Sequence, residues 1–323
     1  MADLNLNELQ AATDYYIEQE QPVDIFFRSN VLIYKLMSQN KTFPGGQKIQ
    51  VNLEYDMTHA GPYGPTSEMP ISKKEILNAA FFEYAAYYST LTLDMEDQLL
   101  NAGEPEIVDL LRSKLQNAEK SIRKAMAEDI YKDSATALNE SNDPNARPFT
   151  GLGDLFNDTA DFAYGEITPN QMAEWAPNKV TDSYTMGFTF MQFLRRQASV
   201  DNGNEGKPDL YVTTQKLQDA FEATLQVQAR YADEDLLNVG FNNILFHGAP
   251  IVDDDKCSAG YVYGLNTGFL DILTHSKRNF TRPEWKSPIR QPDTATANIR
   301  WAGNLVCRNR KAHVLANSVS EPS

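Results

Sequence analysis

The sequence predicts a mixed α+β protein, and three features carry that reading. Ile49, Val51, Leu53 and Tyr55 alternate with Gln50, Asn52, Glu54 and Asp56, the period of a half-buried strand. Pro105 to Lys132 repeats apolar residues at helical spacing. Between Met186 and Leu265 helical and strand patterns follow one another without regular βα alternation, which is an α+β arrangement. The chain has 323 residues, 41% of them hydrophobic. That is enough for one large domain or two to three ordinary ones, with a substantial core in either case.

The elements follow in chain order. Leu6, Leu9, Tyr16 and Ile17 recur at roughly helical spacing before a break at Pro22. Val23 to Met37 resumes the pattern with Phe26, Phe27, Leu32, Ile33 and Leu36. Within 40–47, Pro44-Gly45-Gly46 marks a turn. After the alternating strand, Gly61-Pro62-Tyr63-Gly64-Pro65 makes a loop tip that cannot be regular structure. From Ile71 through Phe81, Phe82, Tyr87 and Tyr88 to Leu93 the composition predicts a returning strand, with the alanine pairs leaving a helix open. Lys48 to Leu93 is thus a long hairpin-like arm. It either packs on its own domain or, since open strand edges invite pairing, reaches another chain.

The strongest helix comes next. Pro105 suits its first turn, and Glu104, Glu106 and Asp109 complement the positive helix N-terminus. Ile107, Leu110, Leu111, Leu115, Ala118, Ile122, Met126 and Ile130 form one stripe. Glu119 with Arg123, and Glu128 with Lys132, lie at i,i+4 on the wetter face. At about 1.5 Å per residue the helix spans roughly 42 Å, a beam across a sheet. The stripe keeps no strict heptad, which argues against a coiled coil. Asn142-Asp143-Pro144-Asn145 reads as a linker, with a boundary near Phe149. A short helix opens at Gly151-Leu152-Gly153, and a helix over 186–194 ends in Arg195-Arg196, as the dipole prefers. A strand over 209–213, a helix over 214–231, strands near 241–246, 249–252 and 260–265, and a long strand over 298–315 complete the series.

Charge and motif content narrow the function. With 44 acidic against 29 basic residues the net charge is −15, which excludes a protein that binds nucleic acid over its whole surface. Lys277 to Lys311 nevertheless carries a net +7, leaving −22 elsewhere. This asymmetry suits contact between copies or a face turned toward a polyanion; a solvated strand edge is the other reading. His59, His247, His275 and His313 form no ligand pair, and no nucleophile elbow or phosphate loop occurs. Gly151-Leu152-Gly153 lacks the preceding strand and third glycine of a dinucleotide site and reads as a turn. Asp253-Asp254-Asp255 lacks the glycine and distal glutamate of a calcium loop and reads as solvated. Cys257 and Cys307 fit reduced thiols in an intracellular compartment. The N-terminus resembles no signal peptide, and no apolar run approaches the roughly 20 residues that span a membrane. No catalytic residue, metal or cofactor is expected, and the chain is read as a non-enzyme.

Several strings, in order, resemble the major capsid protein of tailed bacteriophages, the Hong Kong 97-type capsid fold. They are Leu99-Leu100-Asn101-Ala102-Gly103 with Leu110-Leu111, Lys114 and Asn117-Ala118-Glu119; Lys207-Pro208-Asp209-Leu210-Tyr211-Val212-Thr213-Thr214 with Leu225-Gln226 and Arg230-Tyr231; Gly240-Phe241 with Leu245-Phe246-His247-Gly248-Ala249; Gly264-Leu265-Asn266-Thr267; and Trp301-Ala302-Gly303-Asn304-Leu305-Val306-Cys307 with Asn309-Arg310. The resemblance covers nearly the whole chain. It implies an N-terminal arm over 1–47, an extended E-loop over 48–93, and a P-domain over 94–148 with its spine helix at 105–132. An A-domain over 149–275 and a P-domain return strand with the C-terminus over 276–323 follow.

The function this implies is a structural shell. Copies join as hexamers and pentamers into an icosahedral virion capsid, assembled in the host bacterial cytoplasm, around packaged double-stranded DNA that is not bound sequence-specifically. An encapsulin-like protein compartment is the neighbouring alternative, and a carboxylate-based hydrolase the rival of another class. Some family members carry a scaffolding region ahead of the arm, and this chain starts at the arm, so a separate scaffold protein is expected. A portal at one vertex is implied, and a decoration protein is allowed. The stretch 57–70 holds no lysine, with Lys73 and Lys74 the nearest, so no chemical cross-link is expected. The residues assigned to contacts between subunits are Gly61, Pro62, Tyr63, Gly64 and Pro65 at the loop tip, and Arg278, Arg282 and Arg290 in the basic tail.

Overall fold

In the computed structural model, residues 30–39, 41–64, 68, 71–94, 104–141, 143–198, 206–225, 243–281, 284–287 and 294–321 are described. Two elements organise half of the molecule. The long helix α2 (Glu104–Asp129) follows α1 (Val31–Ser38). Over the part whose side chains are described, its predicted stripe is buried: Leu115, Ala118, Ile122, Met126 and then Ile130 just beyond its end. It packs on a four-stranded sheet ordered β1 (Lys41–Phe43), β11 (Leu270–His275), β12 (Thr294–Cys307) and β4 (Ala85–Asp94). β12 is long enough to pair with β4 along residues 294–303 and with β11 along 303–307, antiparallel on both sides. Leu91, Leu93, Ala295, Ala297 and Ile299 point into the core that α2 closes. Burying such a stripe, at roughly 25 cal/mol per Å² of apolar surface, is what holds the helix to the sheet.

The second sheet has six strands in the order β5 (Asn178–Val180), β13 (Val314–Ala316), β10 (Val262–Leu265), β7 (Leu210–Thr213), β9 (Ala249–Asp253) and β8 (Asn243–Phe246). Both of its faces are covered. Leu210, Val212 and Leu265 join the first core, while Tyr211, Ile251 and Val262 join a second core under α5 (Phe188–Gln197) and α6 (Gln215–Thr224). Every residue of β7 is therefore buried, which explains why that strand reads as continuous rather than alternating. Two short helices, α3 (Ser134–Ser141) and α4 (Leu152–Leu155), connect the halves, and β14 (Val319–Ser320) pairs with β6 (Tyr184–Thr185).

The alternating strand exists as β2 (Ile49–Glu54), with Ile49, Val51 and Leu53 buried and the intervening residues exposed. Its partner is β3 (Leu77–Phe82), antiparallel from Ile49↔Phe82 to Glu54↔Leu77. The expected single returning strand is in fact two. Glu83 and Tyr84 separate β3 from β4, and β4 belongs to the four-stranded sheet. The expected strand over 298–315 begins earlier and stops at Cys307, since Arg308–His313 turns through a 3-10 helix (Arg310–Ala312) before β13. The turn predicted over 40–47 contains β1, which pairs in parallel with β11. Part of the first helical pattern (1–29) and the end of the helix expected over 214–231 lie outside the described residues.

Gly151 and Gly153 have a structural explanation. The end of α2 is met by this chain segment: Leu152 N–H donates to Ile130 O at 2.7 Å and Gly153 N–H to Lys132 O at 3.2 Å. A Cβ at Gly151 would lie 2.2 Å from Lys132 O, so only glycine permits the approach.

Candidate functional site

Between β2 and β3 the chain makes a loop of about twenty residues that presents apolar side chains to solvent. Met57 is 83% exposed, Tyr63 74% and Ile71 98%, and Leu77, at the start of β3, is 69% exposed. The loop is fastened at its base, and further out Ser72 Oγ lies 3.3 Å from His59 Nε2. Tyr55 N–H donates to Ile76 O at 3.1 Å, and Lys74 Nζ meets Asp56 Oδ1 at 2.7 Å. The Lys74 ammonium, with the Met57 N–H, holds the Asp56 carboxyl below its ordinary value. At the tip, Gly61, Pro62 and Tyr63 are exposed and Gly64 is half-buried; Pro65 lies outside the described residues. A Cβ added at Gly61 would touch nothing within 4 Å, so the subunit alone does not require glycine there. Exposed apolar side chains grouped on one loop are the kind of feature that interaction surfaces present.

The root of this hairpin is clamped. Gly165, at φ +63°, offers its carbonyl to Phe81 N–H at 3.0 Å, and Lys48 pairs with Glu166. The Phe82 ring stands edge-on to Tyr164 with centroids 5.1 Å apart. A Cβ at Gly165 would come within 2.8 Å of Ala80 Cβ and 2.9 Å of the Phe82 ring. The turn over 164–166 thus sets the direction in which the loop projects.

The basic tail divides into two parts. Its last third is engaged by groups of the subunit itself, with Arg310 alone fully inside. Arg310 is fully buried: Nε donates to Leu155 O at 3.0 Å, Nη1 to Trp175 O at 3.0 Å, and Nη2 to Leu155 O at 2.6 Å and Asn157 O at 3.0 Å. Its guanidinium also lies 4.9 Å from the Tyr164 ring centroid. Arg308 pairs with the largely buried Asp271 at 3.0 Å, a carboxylate shared with Lys41 at 2.9 Å. The remainder is a groove of about 240 Å³ along β12, walled by Lys277, Arg278, Lys286 and Arg300 with Thr281 and Glu284. The bridges Thr281↔Arg300 and Lys286↔Thr296 lay this segment beside β12 and bring the four cations together. Arg278 therefore sits in a cationic groove, while Arg282 and Arg290 lie outside the described residues.

The acidic run is not wholly solvated, contrary to what its composition predicts. Asp255 is exposed and Asp253 half-buried, but Asp254 is only 7% exposed. Its carboxylate accepts from Tyr131 OH at 2.6 Å, Asn30 Nδ2 at 2.6 Å and Lys256 N–H at 2.9 Å. Burial raises its pKa, and the Tyr131 hydroxyl opposes that rise. Asp254 thereby ties the cap of α1, the end of α2 and the β9 turn into one unit. The predicted Glu128–Lys132 pair also gives way to tertiary partners: Glu128 binds Lys256 at 2.7 Å, and Lys132 binds Glu140 at 2.6 Å.

Cys257 and Cys307 are free and buried, and burial pushes both thiols up to about 12, away from the thiolate a nucleophile needs. His313 Nδ1 accepts from Asn266 N–H at 3.1 Å, and burial pushes the ring down to about 3. Among the described residues, no cluster of His, Cys, Asp or Glu is placed to hold a metal, and no helix is long and apolar enough to cross a membrane. What the exposed loop and the groove offer chemically is non-covalent contact.

No protein-family model matches the chain, and no curated protein matches it in sequence. Solved structures do match in fold. A chain of the cyanophage A-1(L) capsid asymmetric unit has a TM-score of 0.72 at 14% identity, covering 91% of this chain and 94% of that one. A chain of the native GTA particle capsid has a TM-score of 0.58 at 11% identity, over 88% and 90%. A chain of the SrpI encapsulin complex of Synechococcus elongatus PCC 7942 has a TM-score of 0.50 at 12% identity, over 87% and 86%. The chain therefore has the Hong Kong 97-type fold of capsid-shell subunits.

Proposed function

We propose that this chain is the major capsid protein of a tailed bacteriophage, structural rather than catalytic. Copies gather as hexamers and pentamers and close into an icosahedral shell around packaged double-stranded DNA. A separate scaffold protein directs closure, a portal occupies one vertex, and the protein resides in the virion capsid after assembly in the host bacterial cytoplasm. The observation that carries this reading is the near-complete, two-way overlap with the cyanophage capsid chain. The bare apolar loop supports it, because a clamped hairpin with Met57, Tyr63 and Ile71 in solvent suits a surface completed by a neighbour. The cationic groove at Arg278, on a chain of net charge −15, gives that neighbour's acidic surface a place to meet. Heterologous contacts of this kind close into rings and shells, and many modest ones together hold firmly.

The likeness to the encapsulin chain favours a second reading, a protein compartment that encloses protein cargo. The contents of native particles separate the two. Nuclease-protected double-stranded DNA is the expected result, and particles free of nucleic acid that contain an enzyme would replace the phage reading with the compartment.

A further inference from the structure

We propose that, in the unassembled subunit, the acidic-aromatic string Asp14-Tyr15-Tyr16-Ile17-Glu18-Gln19-Glu20 folds back on its own chain and covers the exposed face of the β4–β12 pair at Tyr88, Arg278 and Arg300. That face carries two adjoining hollows. The cationic groove of about 240 Å³ meets a second hollow of about 360 Å³, lined by Tyr87, Tyr88 and Trp301, and the two share Arg278, Asn298 and Arg300. Arg300 stands opposite Tyr88 across the ladder, and Tyr88 is 74% exposed. Among the described residues Lys277, Arg278 and Arg300 make no ion pair, whereas Lys286 lies 3.9 Å from Glu284. A partner that fits brings aromatic or aliphatic side chains to one hollow and carboxylates to the other, within one short stretch.

The chain holds such a stretch on a tether. Residues 1–29, outside the described residues, carry six acidic side chains against one basic. Within them 14–20 has three carboxylates and three apolar residues without a cation. Asn30 caps α1, whose eight residues lead to β1, and the Phe43 carbonyl accepts from Ser276 N–H at 3.1 Å. By that path Arg278 lies no more than about 40 Å from Asn30. The thirteen residues from Ile17 to Asn30 span up to about 43 Å when extended, so the string reaches the groove. The tether holds it at a roughly millimolar effective concentration, above that of a free second copy. The consequence rests on the shell reading: a groove covered in this way is closed to the neighbour until the string is displaced, which delays assembly. The fold-back contact itself does not depend on that reading.

The test is disulfide trapping in the full-length variant Tyr16→Cys, Tyr88→Cys, at a dilution where sedimentation shows single subunits, with oxidised glutathione as the oxidant. The native Cys257 and Cys307 are buried and do not compete. A bond within one chain is expected, seen as a faster band on a non-reducing gel at single-chain mass. Adding Arg278→Glu and Arg300→Glu should lower its yield roughly three- to tenfold at an unchanged melting temperature. Adding Glu18→Lys and Glu20→Lys to those should restore it. The proposal is overturned if no bond forms, if the bond joins two chains, or if the charge reversals leave the yield unchanged. A chain that forms the internal bond yet never assembles contradicts the shell reading alone.

Discussion

At Arg310 a residue that the sequence groups with a basic surface is instead the molecule's internal staple. Its guanidinium satisfies the carbonyls of Leu155, Asn157 and Trp175. Arg310→Met leaves those buried acceptors bare, at about 1–3 kcal/mol each before relaxation. Urea unfolding should therefore show a loss of about 3 kcal/mol or more, and a loss below about 1 kcal/mol would deny the staple. His313 makes a pH prediction with a definite sign. Its ring titrates near 6.5 in the unfolded chain and is pushed down to about 3 in the fold. The unfolded state thus binds the extra proton between those values. Stability falls as pH drops through that window, by up to about 1.4 kcal/mol per pH unit from this group. His313→Asn, which keeps an acceptor for Asn266 N–H, should flatten the slope by close to one proton, and an unchanged slope would contradict the assignment. Neither Arg310 nor Asp254 was legible as buried, because Asn309-Arg310-Lys311 and Asp253-Asp254-Asp255 read as surface strings and their partners lie more than a hundred residues away.

At the scale of elements, legibility follows the range of the interactions. β2 and α2 were readable because each carries its own periodicity, two for the strand and near 3.6 for the helix. The break between β3 and β4 was not, since Glu83-Tyr84 holds no glycine or proline and both flanks are strand-like. β11 was missed because its short run has Asp271 inside it, a carboxylate paired with Lys41 and Arg308. The hairpin clamp is likewise tertiary. Gly165→Ala must hold φ +63° with a Cβ pressed on Ala80 and Phe82, a cost of about 1–3 kcal/mol borne by that contact. Hydrogen exchange should rise in β2 and β3 while β12 stays protected. Equal protection in all three strands would mean that the turn does not hold the hairpin.

For the whole molecule, the two sheets and the helices packed on them hold the core, and the described tip of the loop between β2 and β3 is largely exposed. Deleting Gly61 to Pro65 should leave the melting temperature of the unassembled chain within about 2 °C, because the tip residues described are largely exposed. The same deletion should sharply reduce shell yield in a particle assay, and normal shells would remove the loop tip from the contact surface. The residues proposed for contacts between subunits stand out in the sequence only in outline. The Gly-Pro tip and the basic tail stood out in composition, yet their surroundings depend on pairings such as Thr281↔Arg300 that no local pattern announces. The most direct measurement is sedimentation velocity with negative-stain microscopy on the purified chain, alone and with a candidate scaffold protein encoded beside it. The account predicts pentamers, hexamers or closed shells; a strict monomer or dimer under every condition would contradict it.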